Sequence, residues 1–139
     1  MYLLDTNVVS ELRRARPHGG VLSWIRDTPA ERLHLAAVTI GEIQAGIEIT
    51  RERDAAKAAE LARWLEEVLV SYRVLAMDAA AFRTWATLMH RRSDTQMQDA
   101  MIAAVAIVRR MTVVTRNARD FQPFGVRTLD PFSARPGNA

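Results

Sequence analysis

Several apolar runs of this chain are only three to five residues long, too short for helices, and are separated by longer stretches with apolar residues at helical spacing. Tyr2-Leu3-Leu4, Leu33 to Ala37, Arg73 to Ala76 and Thr112 to Thr115 read as strands, and Val126 to Leu129 as an edge strand. The stretches between them read as helices. Thr6 to Arg14 places Val8, Val9 and Leu12 on one face, and a shorter helix after Gly20 turns Val21, Leu22, Trp24 and Ile25 inward. Thr39 reads as an N-cap with Glu42 at capping-box spacing, ahead of Ile40, Ile43 and Ile47. Asp54 caps a long helix carrying Leu61, Trp64, Leu65, Val68 and Leu69, and Asp78 caps another carrying Phe82, Trp85, Leu88 and Met89. Gln98 to Arg109 is a helix of small residues. Short buried strands alternating with helices specify a parallel sheet covered on both faces, and in such folds the ligand site lies beyond the carboxyl ends of the strands.

Four acidic residues fall on that rim. Asp5 ends the first strand, Glu42 lies early in the helix after the second, Asp99 opens the alanine-rich helix, and Asp120 sits in the polar loop after the fourth strand. A charged group directly after a buried strand costs free energy unless it is paired or bound. Clustered carboxylates repel one another unless a cation fills the space between them or some are protonated. Oxygen ligands of this kind suit Mg²⁺ or Mn²⁺. Such an ion lowers the pKa of a bound water and neutralises a phosphodiester as it is attacked. Asp5 and Asp99 are the expected principal metal ligands, with Glu42 and Asp120 acting directly or through water. Thr6, Asn7, Thr115 and Asn117 stand beside them as supporting residues.

Several other chemistries are excluded. The 139 residues include no cysteine, so disulfides, thiol nucleophiles and thiolate metal sites are absent. His18, His34 and His90 are scattered and read as surface or hydrogen-bonded residues, and Gly19-Gly20 lacks phosphate-loop spacing. No apolar run reaches membrane-spanning length, and the first residues read as a strand and not a signal segment, so a cytoplasmic protein is expected. The net charge is +3, and every basic residue except Lys57 is arginine, the side chain best shaped for phosphate. Arg13, Arg14 and Arg116 are candidate RNA-backbone contacts, with Arg16, Arg91, Arg92 and Arg119 near the same motifs. Trp24, Trp64 and Trp85 read as core, and the helices carrying Trp64 and Trp85 as a clip over the site or a dimer face.

Taken in order, Leu3-Leu4-Asp5-Thr6-Asn7 with Ser10-Glu11, Ala37 to Glu42 with Gly46, Asp99 to Ala104, and Val114 to Asn117 with Asp120-Phe121 resemble the PIN-domain ribonucleases. Within these, the resemblance is to VapC-type toxins of type II toxin–antitoxin modules, in the FitB-like group. It spans residues 1–132 as one domain, leaving 133–139 as a flexible tail. It implies a three-layer α/β/α fold with a central parallel sheet of four or five strands. It also implies a Mg²⁺- or Mn²⁺-dependent endoribonuclease leaving a 5′-phosphate and a 3′-hydroxyl, a homodimer, and neutralisation by a VapB-type antitoxin in a higher assembly. Asp5, Glu42 and Asp99 match three family carboxylates. The fourth position is assigned to Asp120, as in members whose aspartate stands three residues after this asparagine, with Asn117, which stands where other members carry aspartate, as a helper. Two rival readings are an aspartyl phosphatase, for which Asn7 stands where a second aspartate is needed, and a non-catalytic α/β RNA-binding or regulatory module.

Overall fold

A computed structural model describes residues 1–133, so all but the first residue of the expected tail lies outside the described residues. The strands are β1 (Tyr2–Leu4), β2 (Leu33–Ala36), β3 (Arg73–Leu75), β4 (Thr112–Val114) and β5 (Thr128–Leu129). They form one parallel sheet in the order β3-β2-β1-β4-β5. Leu4 is in register with Leu35 on one side and Val114 on the other, so the earliest strand of the chain is the central one.

The pleat divides the core. Leu3 faces a cluster built from α5 (Ala79–Met89), α6 (Met97–Arg109) and α7 (Ala118–Phe121), with Ala103, Ala106 and Phe121 fully buried. Leu4 faces the opposite cluster with α1 (Thr6–Glu11), α2 (Gly19–Asp27), α3 (Ala37–Arg51) and α4 (Ala55–Ser71), where Val8, Val9, Val21 and Leu35 are fully buried. This is the three-layer arrangement expected of short strands buried on both sides. The helices start where the sequence supplies side-chain acceptors. Asp54 accepts from the Lys57 amide at 3.0 Å and Asp78 from the Ala81 amide at 2.9 Å. Asp78 at the head of α5 also pairs with Arg109 at the tail of α6 at 3.7 Å, as antiparallel neighbours require.

Several local expectations are corrected. Thr39 is not an N-cap: α3 begins at Ala37, behind Ala36, which offers no side-chain acceptor. Thr39 lies inside the first turn, fully buried, and Glu42 is freed from capping. Leu22, Leu69 and Phe82 are exposed at the edges of their apolar stripes. Trp64 and Trp85 cannot form one clip, because α4 and α5 pack on opposite faces of the sheet. Both rings are half-buried, and Trp85 donates to the Met97 carbonyl at 3.2 Å. Asp120 belongs to the short helix α7 and not to a loop. His34 is buried in β2 with Nδ1 unpartnered, unlike the satisfied histidine expected there, whereas His18 Nδ1 accepts from the Gly20 amide at 3.1 Å.

Because both faces of β1 are sealed, Leu4→Ala should lower the unfolding free energy by about 3 kcal/mol, read from a urea unfolding midpoint. Val70→Ala, at a position 88% exposed on α4, should change it by less than about 0.5 kcal/mol.

Candidate active site

The parallel topology brings the ends of β1, β2 and β4 to one edge, and α6 and α7 contribute residues to the same rim. Asp5 is the deepest of them, 7% exposed, at the point where β1 becomes α1. Its backbone continues the sheet by donating to the Val114 carbonyl at 2.9 Å. Its Oδ1 accepts from the Thr6 amide at 2.8 Å, and its Oδ2 accepts from the Thr115 hydroxyl at 2.8 Å and from Asn7 Nδ2 at 3.2 Å. The Thr115 hydroxyl in turn accepts from the Asn117 amide at 3.0 Å. Asn7 also accepts, through Oδ1, from the Arg116 amide at 3.2 Å. Thr6, Asn7 and Thr115 therefore hold Asp5, while Asn117 contributes to this network through its backbone.

The other carboxylates are half-buried or exposed around it. The Thr6 hydroxyl reaches Thr39 Oγ1 at 3.3 Å and lies beside Glu42. Burial pushes the Glu42 carboxyl above its usual range, partly offset by Thr6, and the charges of Asp5 and Asp99 add to the rise. Asp99 is pushed up to about 6, by burial first and then by the charges of Asp5 and Asp120. Its place in the first turn of α6 would by itself favour the anion, so burial and repulsion outweigh the helix dipole. Asp5 is likewise raised by burial, against the hydrogen bonds from Thr115, Thr6 and Asn7, with a contribution from Asp120. All four carboxylates thus share one electrostatic neighbourhood. None of them takes part in an ion pair among the described residues. Among the described residues, no three His, Asp or Glu side chains close into a ready ligand shell.

A PIN domain matches residues 2–124. The chain belongs to the PIN-domain family. Among its relatives, the plasmid stability protein StbB of Pseudomonas syringae pv. tomato is 33% identical over 96% of this chain and all of its own. The VapC ribonuclease Y4jK of Sinorhizobium fredii is 34% identical over 95% of this chain and 98% of its own. The crystal structure of FitAcB from Neisseria gonorrhoeae superposes with a TM-score of 0.84 at 29% identity, over 96% of this chain and all of that one.

The basic residues divide in this PIN domain. Arg14 pairs with the buried Glu11 at 3.3 Å, and Arg116 lies over the Phe132 ring at 4.7 Å, so two of the three candidate backbone contacts already have partners. Arg92 donates to the carbonyls of Leu88 at 2.7 Å and Pro123 at 3.0 Å and covers the Phe124 ring, which makes it a tie between elements. Arg13 is exposed and forms no ion pair among the described residues. Sequence reasoning assigned no role to Glu11, which accepts from the His18 amide at 2.9 Å and so ties α1 to the start of α2. That amide bond, ahead of the Arg14 guanidinium, holds its carboxyl below the usual range.

A raised carboxyl pKa makes the native state bind more protons than the unfolded chain at intermediate pH. Its stabilising contribution is complete below the unfolded pKa and is lost as pH rises through the folded one. In chelator-treated protein, Asp99→Asn should match wild type near pH 4. It should become more stable than wild type by on the order of 1 kcal/mol above pH 7, a figure discounted for the half-exposed position. Thermal unfolding across that range measures the difference.

Proposed function

We propose that this chain is the toxin of a toxin–antitoxin pair and cleaves RNA phosphodiesters with Mg²⁺ or Mn²⁺ at Asp5, Glu42, Asp99 and Asp120. The supporting observation is the carboxylate cluster in which Asp5, Glu42 and Asp99 are all shifted upward and, among the described residues, none is paired with an arginine. A hard divalent cation is the counter-charge these oxygen donors suit, and the open cluster agrees with Mg²⁺, which is held by one or two carboxylates and keeps several waters. When bound, the ion supplies neutralisation of phosphate charge and an acidified water. The relatives named as a VapC ribonuclease and as the toxin FitB support RNA as the substrate. The similar FitAB structure, bound to a DNA fragment, supports a FitA- or VapB-type antitoxin as partner.

The chain's own residues divide the work by position. Asp5 and Asp99 are the principal ligands. Asp5 is clamped in one orientation by Thr6, Asn7 and Thr115, so little reorganisation is needed when the cation and the phosphate arrive. Glu42 and Asp120 complete the ring directly or through water. Asp120 takes the fourth position in preference to Asn117, because its charge acts on both Asp5 and Asp99. Arg13 holds an adjoining phosphate, which makes RNA binding sensitive to salt.

Incubated with single-stranded RNA and Mn²⁺, the wild type should release fragments with 5′-phosphate ends, and a chelator should stop the reaction. Asp5→Asn and Asp99→Asn should each reduce the rate by about a hundredfold or more, corresponding to roughly 3 kcal/mol of lost transition-state stabilisation. Cleavage by either variant at the wild-type rate would refute the assignment. The fourth position is decided separately: Asp120→Asn should weaken the rise in unfolding temperature that Mn²⁺ produces, while Asn117→Ala should leave it close to wild type.

A further inference from the structure

A cavity of about 210 Å³ opens next to the carboxylate cluster, with Thr6, Ser10, Arg13, Glu42, Gly46 and Trp64 in its lining. Thr6 and Glu42 are shared with the cluster, so an occupant of this cavity lies beside the reacting phosphate. Gly46 is the informative position. It stands inside α3, where glycine is less stable than alanine. A Cβ built on it would meet nothing within 4 Å, and its φ is not in the left-handed region. Neither backbone conformation nor packing within the chain therefore asks for glycine. Glu42, Gly46 and Thr50 follow one another at four-residue spacing along the helix face that lines the cavity, and the missing side chain keeps that face open.

We propose that this cavity receives one unpaired RNA base next to the cleaved bond, stacked against Trp64 with Arg13 on the flanking phosphate, and thereby sets base preference. The inference rests on the RNA-cleaving reading above. Beside the aliphatic Ile43, Ile47 and Leu61, the lining sets an aromatic ring and small hydroxyl groups next to an exposed arginine without an ion-pair partner among the described residues. Unpaired bases are recognised through just these elements: stacking on an aromatic side chain, hydrogen bonds to the base edges and a cation on the backbone. The ring accepts any base, and the Thr6 and Ser10 hydroxyls supply the discrimination.

The test uses a pool of short single-stranded RNA of random sequence. Product ends from wild type with Mn²⁺ should show a preference at one nucleotide beside the cut. Gly46→Leu, which sets a side chain on the cavity wall where a Cβ meets nothing within 4 Å, should flatten that preference about tenfold without lowering the unfolding temperature. Trp64→Leu, which keeps apolar bulk on α4 but removes the ring, should act in the same direction. In parallel, Asp99→Asn and Asp99→Asn with Gly46→Leu are mixed with the same pool and the retained sequences read, so the cavity is tested without cleavage. Loss of the preference in the Gly46→Leu proteins supports the proposal even if the wild type fails to cut. A wild-type preference in Gly46→Leu, in cutting or in binding, overturns it. So does a Gly46→Leu protein altered only in binding a FitA- or VapB-type antitoxin, which would give the cavity to the protein partner. Absence of any base preference in both wild-type cleavage and Asp99→Asn binding also overturns it.

Discussion

The buried carboxylate of Asp5 is the constraint around which this domain is arranged. It sits at the end of the central strand, where sheet hydrogen bonding from its own amide to Val114 holds its backbone and three side-chain or amide donors hold its oxygens. Removing a carboxylate from water is expensive, and those donors recover only part of the cost, so its pKa remains raised. The same bonds tie β1 to the residues after β4. The orientation of this carboxylate and the closure of the sheet are therefore one network, and a change at Thr115 or Asn7 acts on both.

Around that point the topology concentrates negative charge. A parallel sheet with its first strand in the middle delivers the residues after β1, β2 and β4 to a common edge, and α6 and α7 add Asp99 and Asp120. The result is a rim that disfavours its own ionised state in the free protein. Perturbed groups of this kind concentrate at functional sites, which is why the proposed reading places a counter-charge here. Clamped Asp5 and the half-exposed carboxylates around it differ in one useful respect: the first is rigid, and the others retain access to solvent.

The strands and their order of burial were legible because three-residue apolar runs ending in Asp5 or Thr115 have few other uses. The meeting of Asp5, Glu42, Asp99 and Asp120 was legible from topology alone. What was misread turned on information that spacing does not carry. Thr39 and Glu42 have capping-box spacing whether the helix begins at residue 39 or at Ala37, and only the buried hydroxyl contact with Thr6 separates the two. Trp64 and Trp85 occupy similar helical stripes, but the crossover between them places their helices on opposite faces. Arginine partners were opaque for a related reason. Arg116 finds Phe132 and Arg92 finds Pro123, contacts between segments that local sequence does not connect.

Arg92 carries a consequence beyond its own neighbourhood. Its guanidinium bridges the last turn of α5 and the turn after α7, with its flat face on Phe124, and so fixes the segment that carries Asp120. A lysine in its place would keep the charge but lose both the forked pair of donors and the plate that covers the ring. Exchange of arginine for lysine, harmless over most of a protein's exterior, would here loosen the segment that carries one of the four rim carboxylates.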